Sequence, residues 1–175
     1  MRELADAERI RRFMRALGRE AAEEGSAYLT GGATAVLVGW RESTIDVDVL
    51  LVPEHDRLLR ALPAIKDELE INVELASPLD FIPVAPGWEE RSIFVAREGA
   101  LSFLHFDPYA QALSKLERAH RQDLEDVRAL VEGGLVDPAQ ALEYFERIEP
   151  ELYRYPAIDP GSFRATVAET LSPSR

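Results

Sequence analysis

The stretch Ile45-Asp-Val-Asp-Val-Leu-Leu-Val52 constrains this chain more than any other. It alternates like a strand with one apolar face, yet its other face begins with two carboxylates. Residues i and i+2 of a strand point the same way, so Asp46 and Asp48 leave the sheet side by side. Burying two like charges there is costly without a counter-ion. Either this face meets water or a cation comes to it. Magnesium suits that role, since it favours one or two carboxylates with substrate phosphates completing its shell. The alternative is a sheet-edge strand with a solvated acidic face.

Gly32 stands fourteen residues before Asp46, the second of a Gly31-Gly32 pair that ends a strand over Ala27–Thr30. Residues 33–38 then suit a short helix closing at Gly39. Glycines at such a junction let backbone approach phosphate, and a helix N-terminus offers amides and a favourable dipole. On their own they make a turn and a cap. No Gly-Lys-Ser/Thr follows, so this is not a Walker loop. Together with the dyad, the pair implies a nucleotide handled with its magnesium.

The rest of the chain reads as an α+β protein. Ile10, Phe13, Met14, Leu17 and Ala21 space an amphipathic helix over 6–24, stopped by Gly25, with Arg11, Arg12, Arg15 and Arg19 on its outer faces. Residues 55–69 predict a helix that Pro63 must kink or split. Residues 71–76 predict a strand with Asn72 and Glu74 on one face and Ile71, Val73 and Leu75 on the other. Two further strands, 91–97 and 101–106, join through a Glu98-Gly99 turn. Asp107-Pro108 caps a helix running to Gly133-Gly134, and Asp137-Pro138 caps another to about 148. A last helix over 162–171 precedes a frayed tail. The expected architecture is a mixed sheet flanked by helices over 1–106, with a helical part over 107–175 packed on it as one unit.

The absence of cysteine removes disulfides, thiolate metal sites and cysteine nucleophiles. No apolar run has membrane-spanning length, and the start MRELADAERIRRF lacks the apolar core of a signal peptide, so a cytoplasmic protein without membrane contact is expected. A net charge of -12 disfavours non-specific DNA binding. Only Lys66 and Lys115 are lysines against eighteen arginines, which draws attention to any lysine in a functional position. On a helix continuing through Gly133, Lys115, Asp126 and more loosely Asp123 share one broad face. The other reading is an ordinary charged face with Glu117, Arg118, Arg121 and Glu125. His55, His105 and His120 show no ligand spacing and read as incidental. Trp40 and Trp88 either stack a base or pack.

The run GGATAVLVGWRESTIDVDVLLV, residues 31–52, resembles the nucleotidyltransferase superfamily of polymerase-beta-like fold, whose signature is a Gly-Gly or Gly-Ser turn followed by Asp-x-Asp in the next strand. The portion from Gly39 to Asp48 is most similar to an uncharacterised bacterial nucleotidyltransferase-like branch near the AbiEii-type toxins of type IV toxin–antitoxin systems. Leu113-Ser-Lys115 with Asp123-Leu-Glu-Asp126 is similar to that branch's helical Lys…Lys-Asp-x-x-Asp motif, except that Gln122 stands where a lysine is usual.

The resemblance implies a Mg2+- or Mn2+-dependent transfer of NMP from NTP to an acceptor hydroxyl, with release of pyrophosphate. Asp46 and Asp48 would hold metal, and Gly31, Gly32, Arg41 and Lys115 would bind nucleotide phosphate. Thr44 would fix the loop, and Asp123 would orient Lys115 or a metal. Arg41 and Thr44 also suit a loop salt bridge and a turn hydroxyl. A third carboxylate is expected beside the dyad, in the order Glu74, Asp123, Asp80. The acceptor would be RNA (tRNA among others), a protein or a small molecule, and a cognate antitoxin would be the partner. The reading set against this is a nucleotidyltransferase-like binding or regulatory module without catalysis.

Overall fold

The alternation of the dyad strand is realised in the computed structural model, which describes residues 3–173. Strand β4 (Asp46–Val52) buries Val47, Val49 and Leu51 and leaves Asp46, Asp48 and Leu50 half-buried on the opposite face. Burying each of those three side chains contributes roughly 1.5–3 kcal/mol. A one-residue slip would put both carboxylates into the core instead, so the register is strongly specified.

The chain forms two compact units. The first runs to Ser77 and resumes over Ser92–Phe106. It contains β1 (Ala5–Asp6), α1 (Ala7–Glu20), β2 (Gly25–Thr30), α2 (Gly32–Val38), β3 (Ser43–Thr44), β4, α3 (Asp56–Glu68) and β5 (Asn72–Leu75). The second comprises Pro78–Arg91 and the chain from Asp107. Its first α-helix is α4 (Trp88–Arg91), which follows a 3-10 turn over Pro78–Asp80. The first unit then adds β6 (Ile93–Glu98) and β7 (Leu101–His105).

The sheet of the first unit is mixed, in the order β5-β4-β2-β7-β6. β2 runs antiparallel to β4 and parallel to β7, β4 runs parallel to β5, and β6 and β7 form a hairpin. Ile10, Phe13 and Leu17 of α1 and Leu58, Leu62 and Ile65 of α3 belong to one core with Val47, Val49 and Phe103. This is the expected α+β class with helices against a mixed sheet. A two-residue ladder, β1 with β3, also pairs Ala5 with Thr44.

Helix α1 ends at Glu20 rather than near Gly25, with Ala21 already extended. Glu20, Glu23 and Glu24 would crowd negative charge at the negative end of the helix dipole, which disfavours another turn. Pro63 lies inside α3 without splitting it, because Leu58, Leu62 and Ile65 on both sides are anchored in the core. Leu75 is exposed, unlike Ile71 and Val73, so the apolar face of β5 stops short of its end.

The second unit is helical: α5 (Pro108–Arg118), α6 (Arg121–Glu132), α7 (Pro138–Ile148) and α8 (Pro160–Leu171). The single helix expected from 107 to 133 is two. Ala119 adopts a left-handed conformation with φ 57°, its N–H bonding to the Lys115 carbonyl, and His120 starts the next helix. Asp107 and Asp137 cap α5 and α7 as expected from their Asp-Pro pairs. Asp159-Pro160 is a third use of the device, which starts α8 two residues earlier than the 162–171 reading. Phe145 and Phe163 meet edge to face at 5.0 Å and tie α7 to α8. Of the tail expected to fray, 172–175, Ser172 is the extended C-cap of α8, and Ser174 and Arg175 lie outside the described residues. Among the described residues no helix is long and apolar enough to cross a membrane.

Candidate functional site: a glycine turn against a carboxylate dyad

The antiparallel register of β2 and β4 places Thr30 opposite Asp48. The next residue, Gly31, turns the chain with φ 63° and ψ -128°, a conformation that suits glycine. A Cβ on Gly31 would sit 3.4 Å from Asp48 Oδ2, so the turn lies directly over the dyad. Gly32 is required for a different reason. A Cβ there would run into Thr44 Oγ1, reach Thr44 Cβ at 2.6 Å and lie 3.2 Å from an Arg41 Nη1. The turn, the loop residues Arg41 and Thr44, and the dyad are thus brought together by one close approach of backbone.

The loop is wound back by Ala35, whose carbonyl accepts the amides of Gly39, Trp40 and Arg41 at 3.0, 3.1 and 3.3 Å. Thr44 is buried and its hydroxyl donates to the Asp46 carbonyl at 3.0 Å. It is held a second time by the β1 ladder through Ala5.

The parallel register of β4 and β5 sets Asn72 beside Asp46 and Glu74 beside Asp48. Adjacent strands lie about 4.8 Å apart, so the three acids share one face. Asn72 Nδ2 donates to Asp46 Oδ1, a partner that its place on the Glu74 face hints at but that needs the register to be seen. Glu74 is exposed. Among the described residues no group of three His, Asp or Glu side chains converges as metal ligands. The dyad still fits a hard divalent cation, because magnesium needs only one or two protein carboxylates when phosphate and water fill its shell.

Lys115, Asp123, Asp126, Asp80 and Trp88 lie in the second unit. Lys115 is buried, with Nζ 2.8 Å from Asp126 Oδ2 and 4.0 Å from Asp123 Oδ1. On one continuous helix Asp126 would lie about 16 Å along the axis from Lys115. The break at Ala119 folds α6 back on α5 and closes that distance. Asp123 also accepts from an Arg118 Nη2 at 2.6 Å and from the His120 amide at 3.2 Å, while Gln122 Nε2 donates to Asp126 Oδ1 at 3.2 Å. Asp80 ends the 3-10 turn Pro78–Asp80 and is exposed. Trp40 and Trp88 are half-buried.

His105 has a structural place. It is buried at the end of β7, with Nδ1 3.0 Å from Thr34 Oγ1 on α2, the helix that the glycine turn opens. Burial, and secondarily the charge of Arg11, lowers its pKa from 6.5 to about 4. The unfolded chain therefore binds more protons between these values, and stability rises with pH across that window. Stability should be insensitive to His105 above pH 6.5 and fall by roughly 3 kcal/mol as pH drops to 4. Urea titrations at pH 7, 5.5 and 4.5 measure this. A His105→Gln variant should lose that part of the slope, and parallel losses in both proteins would assign the slope elsewhere.

Residues 8–140 match the sequence profile of a family described as nucleotidyltransferase of unknown function (DUF6036). No curated protein and no solved structure matches the chain. The match takes in the glycine turn, the dyad strand and the Lys115 hairpin, well over half of the 175 residues, and the chain belongs to this nucleotidyltransferase family.

Proposed function

We propose that the chain transfers a nucleoside monophosphate from an NTP to an acceptor hydroxyl. The acceptor oxygen forms a bond to the α-phosphorus, the bond from that phosphorus to the bridging oxygen breaks, and pyrophosphate leaves with the electron pair. The acceptor's proton goes to water. The observation that carries this reading is that a Cβ built on Gly31 would lie 3.4 Å from Asp48 Oδ2, so a backbone able to meet phosphate stands beside carboxylates able to hold metal.

Asp46 and Asp48 would hold Mg2+ or Mn2+, with Glu74 the third carboxylate of the face. When bound, the metal supplies charge neutralisation at the α-phosphate and leaving group and lowers the acceptor's pKa. The protein's own part is mostly positioning and electrostatics. Asn72 fixes the Asp46 carboxylate by donating to Oδ1. Gly31 and Gly32 bring amides to phosphate, Arg41 adds a planar fork, and Thr44 holds the loop between them. Lys115, held in the second unit between Asp126 and Asp123, is a further phosphate ligand that the family resemblance implies. The resemblance to a branch near the AbiEii-type toxins would make RNA such as tRNA, a protein or a small molecule the acceptor, a cognate antitoxin the partner and the cytoplasm the place of action.

One observation favours a second reading, a nucleotide-binding module without catalysis: among the described residues no three acidic side chains converge. Incubation with each α-labelled NTP, magnesium and total cell RNA or protein separates the two. Label retained on a macromolecule supports transfer. Magnesium-dependent nucleotide binding without any labelled product supports the module.

A further inference from the structure

The second unit holds a cavity of about 470 Å³ lined by Arg91, Tyr109, Gln140, Glu143, Tyr144 and Arg147. Its size falls within the range of small-molecule sites. Its walls are unusually well fixed. Arg91 Nε donates to the fully buried Asp107 at 2.7 Å, and its two Nη groups donate to the carbonyls of Pro86 and Ala85, both at 2.9 Å. The same guanidinium lies 5.0 Å from the centre of the Tyr144 ring. The Tyr144 hydroxyl donates to Asp107 at 3.3 Å and accepts from the Ala85 amide at 3.0 Å. Burial, with the Asp107 charge second, pushes its pKa up to about 12, so it stays a neutral donor.

Tyr109 forms the other aromatic wall. Its ring is nearly parallel to that of Tyr144, with centroids 6.3 Å apart and planes at 11°. Its hydroxyl donates to Gln140 Oε1 at 3.0 Å and accepts from the Asp137 amide at 3.1 Å. Arg147 is different. It is exposed on α7, one turn beyond Glu143, and among the described residues it forms no ion pair. The charge of Arg91 is balanced by Asp107, which leaves Arg147 against the single carboxylate of Glu143.

We propose that this cavity binds one nucleotide unit, its base against the tyrosine wall and its phosphate on Arg147. Rings whose hydroxyls are both hydrogen-bonded, Tyr144 by buried bonds and Tyr109 by exposed ones, lose little entropy when a base stacks on them, and a guanidinium matches the planar geometry of phosphate. Gln140 keeps its amide N–H groups, and Glu143 its carboxylate, for the edge of an amino-bearing base. The choice of a nucleotide as ligand class rests on the nucleotidyltransferase reading. The unit can come from a free nucleotide or from a single-stranded acceptor RNA.

The test is fluorescence anisotropy with a labelled oligoadenylate of about eight nucleotides, in EDTA so that no metal reaches the dyad. Wild-type protein should bind. Arg147→Glu and Tyr109→Leu should each weaken binding about tenfold or more, while Asp46→Asn with Asp48→Asn leaves it unchanged. Arg147 is exposed and among the described residues forms no ion pair, so its variant keeps the fold even if Tyr109→Leu does not. Competition by AMP or ATP at equal affinity identifies a free-nucleotide site, and binding of the strand alone identifies an acceptor site. No binding in EDTA, wild-type affinity in Arg147→Glu, or loss of binding in the dyad variant overturns the proposal. Because label transfer is measured separately with magnesium, failure here leaves the catalytic reading standing, and the reverse also holds.

Discussion

Lys115→Ala is expected to destabilise the protein by about 3–5 kcal/mol. The variant leaves Asp126 and Asp123, exposed by only 1% and 3%, without their buried ammonium partner. Arg118 still holds Asp123, and Gln122 still donates to Asp126, so the loss concentrates on the Asp126 oxygen that faced Nζ. Urea or thermal unfolding measures it, with a fall in Tm of roughly 10 °C for a chain of this length. Adding Asp126→Ala to Lys115→Ala should recover part of the loss, because the stranded charge is then gone and the two effects are not additive. Lys66→Ala is the comparison: among the described residues that side chain makes no such buried pair, and its loss should stay within about 0.5 kcal/mol. Lys115→Arg should fold less well than wild type, since a bulky fork enters a space shaped for a point charge. Equal stability of the Lys115→Ala and Lys66→Ala proteins would remove the buried pair as the element that holds α5 to α6.

The parts of this protein visible in the chain itself are those decided within a few residues. The alternation of Asp46–Val52, the Gly31-Gly32 turn and the Asp-Pro caps at 107 and 137 each depend on neighbours, and each stands where the local pattern puts it. What stayed hidden depends on pairing between distant segments. The break at Ala119 carries no glycine or proline, and the left-handed turn there arises with the packing of α6 against α5. Reading that region as one helix put Lys115 and Asp126 on a common face but far apart, whereas the hairpin makes them neighbours. The Asn72 bond to Asp46 needs the parallel register of two strands 26 residues apart. Asp107 looked like a cap alone, yet its second oxygen receives Arg91 from 16 residues before and Tyr144 from 37 residues after. Caps are local, but networks are not.

Asp46→Asn combined with Asp48→Asn should reduce transfer by at least about 10⁴-fold while leaving the apo protein as stable as wild type or more stable. The two readouts move in opposite directions for one reason. Without a cation the carboxylates, on one half-buried face, repel each other, and replacing both relieves that repulsion. The packing underneath is untouched, because Val47, Val49 and Leu51 point the other way. The Asn72 donor also keeps an acceptor, since an asparagine at position 46 still presents a carbonyl oxygen. Stabilisation by magnesium and NTP together is the third readout. At about 100 times its dissociation constant a ligand adds about 2.7 kcal/mol to the wild type, and the double variant should show none of the magnesium-dependent part. Thermal melts with and without magnesium, paired with the labelled-NTP assay, give all three readings on the same preparations. If the variant unfolds, the carboxylates are structural and the metal reading of β4 fails. If it folds and still melts higher with magnesium, the cation binds elsewhere and Asp46 and Asp48 lose their assigned role.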